Sequence, residues 1–368
     1  MSEIYLGLMS GTSMDGVDAV LVDFAKQPPC LLAHYQQAIP NTLLTQLHRL
    51  CSPATNELTA MAQASVVMGK LFANAANQVV AQARLEPTQI KAIGSHGQTI
   101  RHFPELGFSL QIGSPSHIAV ATGIDVIADF RNKDMALGGQ GAPLVPAFHQ
   151  AIFSDPSEAR FILNIGGIAN ITSLIANQTL LGYDTGPGNT LLDQHFQRHH
   201  PKGLAYDDHG HWGRSGQPNP GLLTCLLSDN YFCLPAPKST GREYFHLAWL
   251  DTHLQQARFA KIKPADVQCT LYHLTAQSIA QSLNKHDKGC VYVCGGGDNN
   301  PFLLELLAKA LPNLRLSRTS ELGIPEQALE AMAFAWLARC FIEQQAGNAS
   351  SVTGASRAAI LGALYPAK

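Results

Sequence analysis

The sequence predicts an α/β protein built from two related lobes with a cleft between them, and three observations carry that prediction. At 368 residues the chain has the length of about two domains of ~150 to 200 residues each. Each half opens on apolar runs joined by polar turns, Tyr5 to Phe24 in the first and Phe161 to Tyr183 in the second. Twice more, at Asp184 to Asn189 and at Gly295 to Asn300, an apolar run enters a glycine-rich turn that a helical pattern follows at once. Such turns are where α/β folds bind ligands. The expected division is a first lobe over residues 1–130, with 355–368 as a candidate addition to it, and a second over 131–354.

Composition narrows the function. Charged residues make up 14% and apolar residues 46%, the balance of a globular chain able to bury large cores. With 25 basic and 27 acidic residues, net charge −2, there is no electrostatic footprint for nucleic acid or an anionic membrane. A small molecule is the expected partner, with a homodimer as the candidate assembly. The eight cysteines are scattered without a CxxC pair, which reads as reduced thiols. No apolar run reaches the ~18 to 20 residues that span a bilayer, so the expectation is a soluble, cytoplasmic protein.

The first hairpin organises the chain. Runs Tyr5 to Met9 and Val17 to Phe24 read as strands around a turn in which Gly11 and Gly16 permit close backbone approach, while Ser10, Thr12 and Ser13 add hydroxyl donors. Together these make a cradle for phosphate oxygens, and Asp15 and Asp18 are placed to orient a hydrated Mg²⁺. No lysine follows the glycines and no GxGxxG is present, so this is neither a Walker loop nor a Rossmann fingerprint. Helical spacing then predicts helices over 41–51 and 56–85. Ile90 to Gly94 reads as a strand ending in SHGQT, making His96, Gln98 and Thr99 ligand-facing candidates. A strand and short helix follow over 109–123, then a strand over 125–130. Next comes FRNKDMALGGQGAPLVP, too rich in breakers for a regular element and the expected crossing between lobes. Its Arg131, at the end of a buried strand, suits a carboxylate or phosphate ligand.

In the second half, Asp184, Gly186, Gly188 and Asn189 stand between a strand and a helix start, where amides and the positive helix end favour a phosphate or a metal. The histidines and aspartates of His199 to Gly216 are expected in an exposed loop and not around a metal. Helix 266–283 and strand 290–294 lead to Gly295, Gly296 and Gly297, side-chain-free backbone against which a nucleoside can lie. Glu326 and Glu330 open an increasingly apolar helix, four apart and so on one face. The chain closes on a turn and a strand within 352–366.

In order, MSGTSMDGVD, SHGQT, DFRNKD, NIGGIAN, DTGPGN, PKSTGREYF, GGGDN and EAMAFAWLA resemble the anhydro-N-acetylmuramic acid kinase family, a branch of the actin-like and hexokinase-like ATPases with duplicated ribonuclease-H-like domains. The resemblance implies an enzyme that uses ATP and water to convert 1,6-anhydro-N-acetylmuramic acid into N-acetylmuramic acid 6-phosphate during cell-wall recycling. It implies ATP with Mg²⁺ as cofactors. Gly11 to Asp18, including Met14 and Val17, and Gly186 to Asn189 would hold phosphates, and Gly295 to Gly297 the nucleoside. Asp184 is expected as the general base, ionised beside a helix start and Mg²⁺. Glu330 is expected to position the sugar, and charge complementarity assigns Arg131 to its lactyl carboxylate. The rival readings are another sugar kinase, a glycosidase using Asp184 and Glu330, and a nucleotide-gated binding protein.

Overall fold

A computed structural model describes residues 2–11 and 14–368, so Thr12 and Ser13 of the expected cradle lie outside the described residues. The chain divides into two compact units, residues 1–152 with 322–368, and residues 153–321. The expected boundaries at 130/131 and 354/355 thus fall elsewhere. Local composition marks breakers, but the division is set by packing, and the segment 322–354 packs in the first unit.

The first unit holds a sheet of β1 (Ile4–Ser10), β2 (Val17–Asp23), β3 (Cys30–Gln37), β4 (Ile90–Phe103), β5 (Phe108–Ile112), β6 (Val126–Ala128) and, from the end of the chain, β12 (Ala363–Tyr365). Its order is β12-β6-β4-β1-β2-β3, with β5 paired to β4. Strands β1, β2 and β3 form an antiparallel meander, and β4 and β6 join parallel. Alternation along the strands sends Leu6, Leu8, Ala19 and Leu21 to one face. There they bury against Leu47 of helix Asn41–Leu50 and Met68 and Phe72 of helix Glu57–Gln82. The opposite face takes helix Leu329–Ile342. Gly7 and Gly94 are cross-strand partners there, and a Cβ on them would stand 1.9 Å from the carbonyl oxygens of Ala331 and Phe334. Only glycine lets the helix backbone lie on the sheet, and Ala331, Ala335 and Ala338 make the matching small helix face.

The second unit repeats the plan with β7 (Arg160–Ile165), β8 (Ile168–Leu174), β9 (Leu181–Pro187), β10 (Cys290–Cys294) and β11 (Arg315–Arg318), in the order β11-β10-β7-β8-β9. Again three consecutive antiparallel strands are extended by two parallel ones. Helix Pro264–Leu283 covers this sheet, burying Leu271, Leu274 and Ile279 against Phe161, Leu163 and Ile171. Among the described residues no helix is long and apolar enough to cross a membrane.

Candidate active site

In the second unit, β7, β9 and β10 run the same way, so their C-terminal ends share one edge. Three turns meet there. The amides of Gly188 and Thr190 donate to Gly167 O and that of Asn189 to Gly166 O, at 2.8 to 3.0 Å, while Asn189 Nδ2 reaches Ile165 O at 3.2 Å. A Cβ on Gly188 would sit 2.4 Å from Gly166 O. Gly295 has φ +80 and would drive a Cβ to 2.2 Å from Asn164 Oδ1, and one on Gly297 would meet Ile165 Cγ2 at 2.4 Å. Gly296 is open, its nearest neighbour Asn189 Nδ2 at 3.8 Å. The predicted Gly186, Gly188, Asn189 and Gly295 to Gly297 are therefore brought together, along with Asn164 to Gly167 of the NIGG turn.

Asp184 lies within β9 rather than in a turn, and the following helix begins only at Thr190. Burial is the main force on its carboxyl, pushing the pKa up to about 6; the Thr240 N–H opposes this and Glu243 adds to it. A helix start is expected to favour the anion; burial acts the other way here, yet a carboxyl at about 6 is still mostly ionised at pH 7. Asp184 Oδ2 accepts from Thr240 N at 3.0 Å, Asp184 N donates to Lys238 O at 3.0 Å, and Tyr231 Oη donates to Asp184 O at 2.7 Å. The PKSTGREYF segment, whose role spacing could not supply, is the strap that fixes this residue. Its Arg242 guanidinium rests on Gly167, where a Cβ would stand 2.8 Å from Nε.

In the first unit, β4 runs on past SHGQT to Phe103 and pairs with β5, so SHGQT is interior to a strand and not at its end. It is still level with the end of β1, because Leu8 pairs with Ser95 and Ser10 with Gln98 across a bulge. Gly97, at φ +73, makes that bulge, and a Cβ would sit 2.7 Å from Ile112 O. Gln98 is fully buried and serves the hairpin: Oε1 accepts from Ser10 Oγ at 2.7 Å and Nε2 donates to Gly11 O at 3.2 Å. Thr99 Oγ1 accepts from Gln111 at 3.1 Å.

His96, Arg131 and Glu330 form the polar cluster of this unit. Arg131 Nη2 donates to His96 Nε2 at 2.8 Å and Nη1 to Gly141 O at 2.8 Å. Burial lowers the Arg131 pKa to about 10, with Glu330 and then Asp134 acting against it, so the guanidinium stays charged. Burial and then the Arg131 charge hold His96 well below its ordinary value, leaving a neutral ring whose Nε2 is the acceptor. Phe334, one turn beyond Glu330, packs on that ring at 4.6 Å. The cluster rests on Asp134, fully buried, which accepts from Gly141 N at 2.9 Å, Asn348 Nδ2 at 2.6 Å and Thr353 Oγ1 at 2.8 Å.

Other expectations shift. Met14 and Val17 are buried in the first unit's core, so they offer a ligand backbone and no side chain. Asp18 accepts from, or pairs with, His34 Nε2 at 2.8 Å, whereas Asp15 is exposed. Helix Leu329–Ile342 starts after Glu326, which sits in the preceding turn, so the two glutamates share no helix face. Most of the His199 to Gly216 segment is exposed, as expected, and a few groups anchor it: Trp212 stacks on His195 at 5.5 Å, and buried Asp207 accepts from the amides of Trp212 and Gly213. Sequence reasoning missed Tyr231, Thr240, Glu243 and Asp134. For Thr240 and Glu243 the signal was the unexplained PKSTGREYF string, for Asp134 a charged residue inside DFRNKD, and Tyr231 carried no signal.

Two units with the same meander-plus-two-parallel sheet, and glycine turns gathered at the strand ends of the second, define a duplicated α/β fold. The anhydro-N-acetylmuramic acid kinase family model matches residues 3–367, and the chain belongs to that family. Relatives described as anhydro-N-acetylmuramic acid kinase are 52% identical in Shewanella denitrificans, over 100% of this chain and 99% of the relative. In Shewanella pealeana the identity is 53%, over 99% and 98%. A solved structure, the activator of the 2-hydroxyisocaproyl-CoA dehydratase from Clostridium difficile with bound ADPNP, is similar at TM-score 0.46 and 11% identity, over 93% of this chain and 96% of that one.

Proposed function

We propose that this chain phosphorylates 1,6-anhydro-N-acetylmuramic acid with ATP while water opens the anhydro bridge, giving N-acetylmuramic acid 6-phosphate and ADP. The observation that carries the reading is Asp184, a buried carboxyl with a pKa near 6, beside an edge built of glycine turns. Such a group is mostly ionised at pH 7 yet basic enough to accept a proton. Water oxygen bonds to C1, its proton passes to Asp184, the C1–O6 bond breaks, and O6 takes the phosphoryl group from ATP. Family membership supports the substrate.

The 164–167, 186–189 and 295–297 turns fit a nucleotide because glycine at 188, 295 and 297 lets the three turns pack together, where a Cβ would strike the neighbouring turn, and Gly296 is left as open, side-chain-free backbone for the nucleoside. The first hairpin, Gly11 to Asp18, contributes backbone to the phosphates. Mg²⁺ would arrive on the triphosphate, and when bound it would neutralise charge on the transferring group. His96, Arg131 and Glu330 hold the sugar, with Arg131 on the lactyl carboxylate; Thr99 lines the same strand, and Gln98 acts by bracing the hairpin. The protein acts in the cytoplasm, as a homodimer.

The test is ADP release from Mg-ATP with no sugar, with N-acetylmuramic acid, and with its 1,6-anhydro form. Turnover only with the anhydro sugar, giving a 6-phosphate, is expected. Equal turnover with ordinary N-acetylmuramic acid would replace this reading with that of a simple sugar kinase.

A further inference from the structure

We infer that Arg242 binds the terminal phosphate of the nucleotide, supplying the cation that the glycine turns lack; the inference rests on the kinase reading. The PKSTGREYF strap carries two basic side chains, and the structure separates their roles. Lys238 is engaged within the protein: its Nζ donates to Tyr231 O at 3.0 Å and sits over the Tyr231 ring at 4.6 Å. Arg242 is exposed, and among the described residues it makes no hydrogen bond or ion pair. Carboxyls are at hand, yet they turn elsewhere. Asp184 Oδ2 accepts from Thr240 N, and the Glu243 carboxylate folds back over Gly241, where a Cβ would stand 2.1 Å from Oε2.

A glycine seats this side chain. A Cβ on Gly167 would stand 2.8 Å from Nε, 3.0 Å from Nη2 and 3.3 Å from Cζ, so the guanidinium lies against the turn at a place that any other residue would close. Position along the turn selects the ligand group. Gly295 and Gly297 pack on Asn164 and Ile165, at the start of the NIGG turn, whereas Arg242 lies on Gly167 at its other end. A nucleotide laid along the turn from those glycines therefore brings its phosphate tail to Arg242. The carbonyl oxygens of the turn face the other way, Gly167 O accepting from the Gly188 and Thr190 amides and Gly166 O from that of Asn189. This turn joins the first two strands of an antiparallel meander, the place that the expected phosphate cradle between β1 and β2 holds in the first sheet. Thr240, two residues before Arg242, holds the Asp184 carboxyl at 3.0 Å, so one strap ties the cation to the proposed base and points to the reacting, terminal phosphate. A guanidinium is a permanent cation whose planar fork of donors matches phosphate oxygens two at a time, and here no internal anion has to be displaced first.

The experiment is calorimetric titration of the full chain with Mg-ADP and with the Mg²⁺ complex of the β,γ-imido analogue of ATP, with no sugar present. Arg242→Gln is expected to weaken the analogue ~10-fold or more and ADP less than ~3-fold. Arg242→Lys, which keeps the charge but not the fork, should recover part of that loss. Gly167→Ala, whose Cβ strikes the guanidinium, should weaken the analogue selectively with Arg242 still in the chain. Arg242 is exposed, so circular dichroism should show an unchanged fold in Arg242→Gln. Unchanged affinities in Arg242→Gln, or equal losses for ADP and the analogue, would overturn the proposal and leave the kinase reading standing. A raised KM for the anhydro sugar with nucleotide affinities unchanged would overturn it too, giving Arg242 to the sugar carboxylate. If the unaltered chain binds neither nucleotide, the kinase reading fails and this inference with it.

Discussion

Asp184 makes the sharpest prediction, because its environment fixes the pH at which the enzyme should fail. Burial, the largest influence, raises the pKa from 3.8 to about 6, Thr240 N–H pulls it down, and the Glu243 charge pushes it further up. A general base works only when ionised, so kcat/KM should rise with pH through about 6. With a midpoint of about 6, about nine-tenths of the enzyme is ionised at pH 7 and about one-tenth at pH 5, an expected fall of ~10-fold. Glu243→Gln removes a charge that disfavours the anion, so the limb should move to lower pH while its shape is kept. Asp184→Asn should lower kcat by ~10² or more and erase the limb from the residual rate. The assay is ADP release with the anhydro sugar from pH 4.5 to 8, with circular dichroism at each pH to confirm the fold. A limb that stays in place in Glu243→Gln, or persists in Asp184→Asn, would refute the assignment.

Three further outcomes follow from the same geometry. If Arg131 holds the lactyl carboxylate as proposed, Arg131→Ala should raise KM for the anhydro sugar ~10-fold or more while leaving KM for ATP unchanged; a sugar KM equal to the wild type sinks the lactyl assignment. Gly295→Ala forces a Cβ into Asn164 Oδ1 at a backbone φ of +80, so KM for ATP should rise several-fold with the sugar KM unaffected, as steady-state kinetics would show. Gly94→Ala drives a Cβ against Phe334 O, and lifting helix Leu329–Ile342 should cost about 1 to 3 kcal/mol, seen as a lowered urea midpoint; an unshifted midpoint would mean that the helix does not need that contact.

How much could be read beforehand differs between the units. The glycine turns of the second were legible because each is local: a strand, two or three glycines and a helix start within ten residues, as at Asp184 to Asn189 and Gly295 to Asn300. The repeat of strand, turn, strand at Phe161 was legible for the same reason. Strand β3, CLLAHYQQ, went unseen because its alternation is broken by histidine and glutamines, and β11 because RLSR is four residues long.

By itself the sequence determined the α/β class, the family, the glycine turns and Asp184 as their acidic neighbour, all carried by residue types at short fixed spacing. Only the tertiary structure decided what each polar group does. It turned Gln98 inward to hold Ser10 and Gly11, set the PKSTGREYF strap over Asp184, and brought Glu330 into the first unit beside Arg131 through the facing Gly7 and Gly94. It also moved the Asp184 pKa upward, where a helix start alone favours the anion. The physical reason is that burial and hydrogen-bond partnership depend on segments far apart in the chain, such as Asp134 with Asn348 and Thr353, and no local pattern encodes which of them will meet.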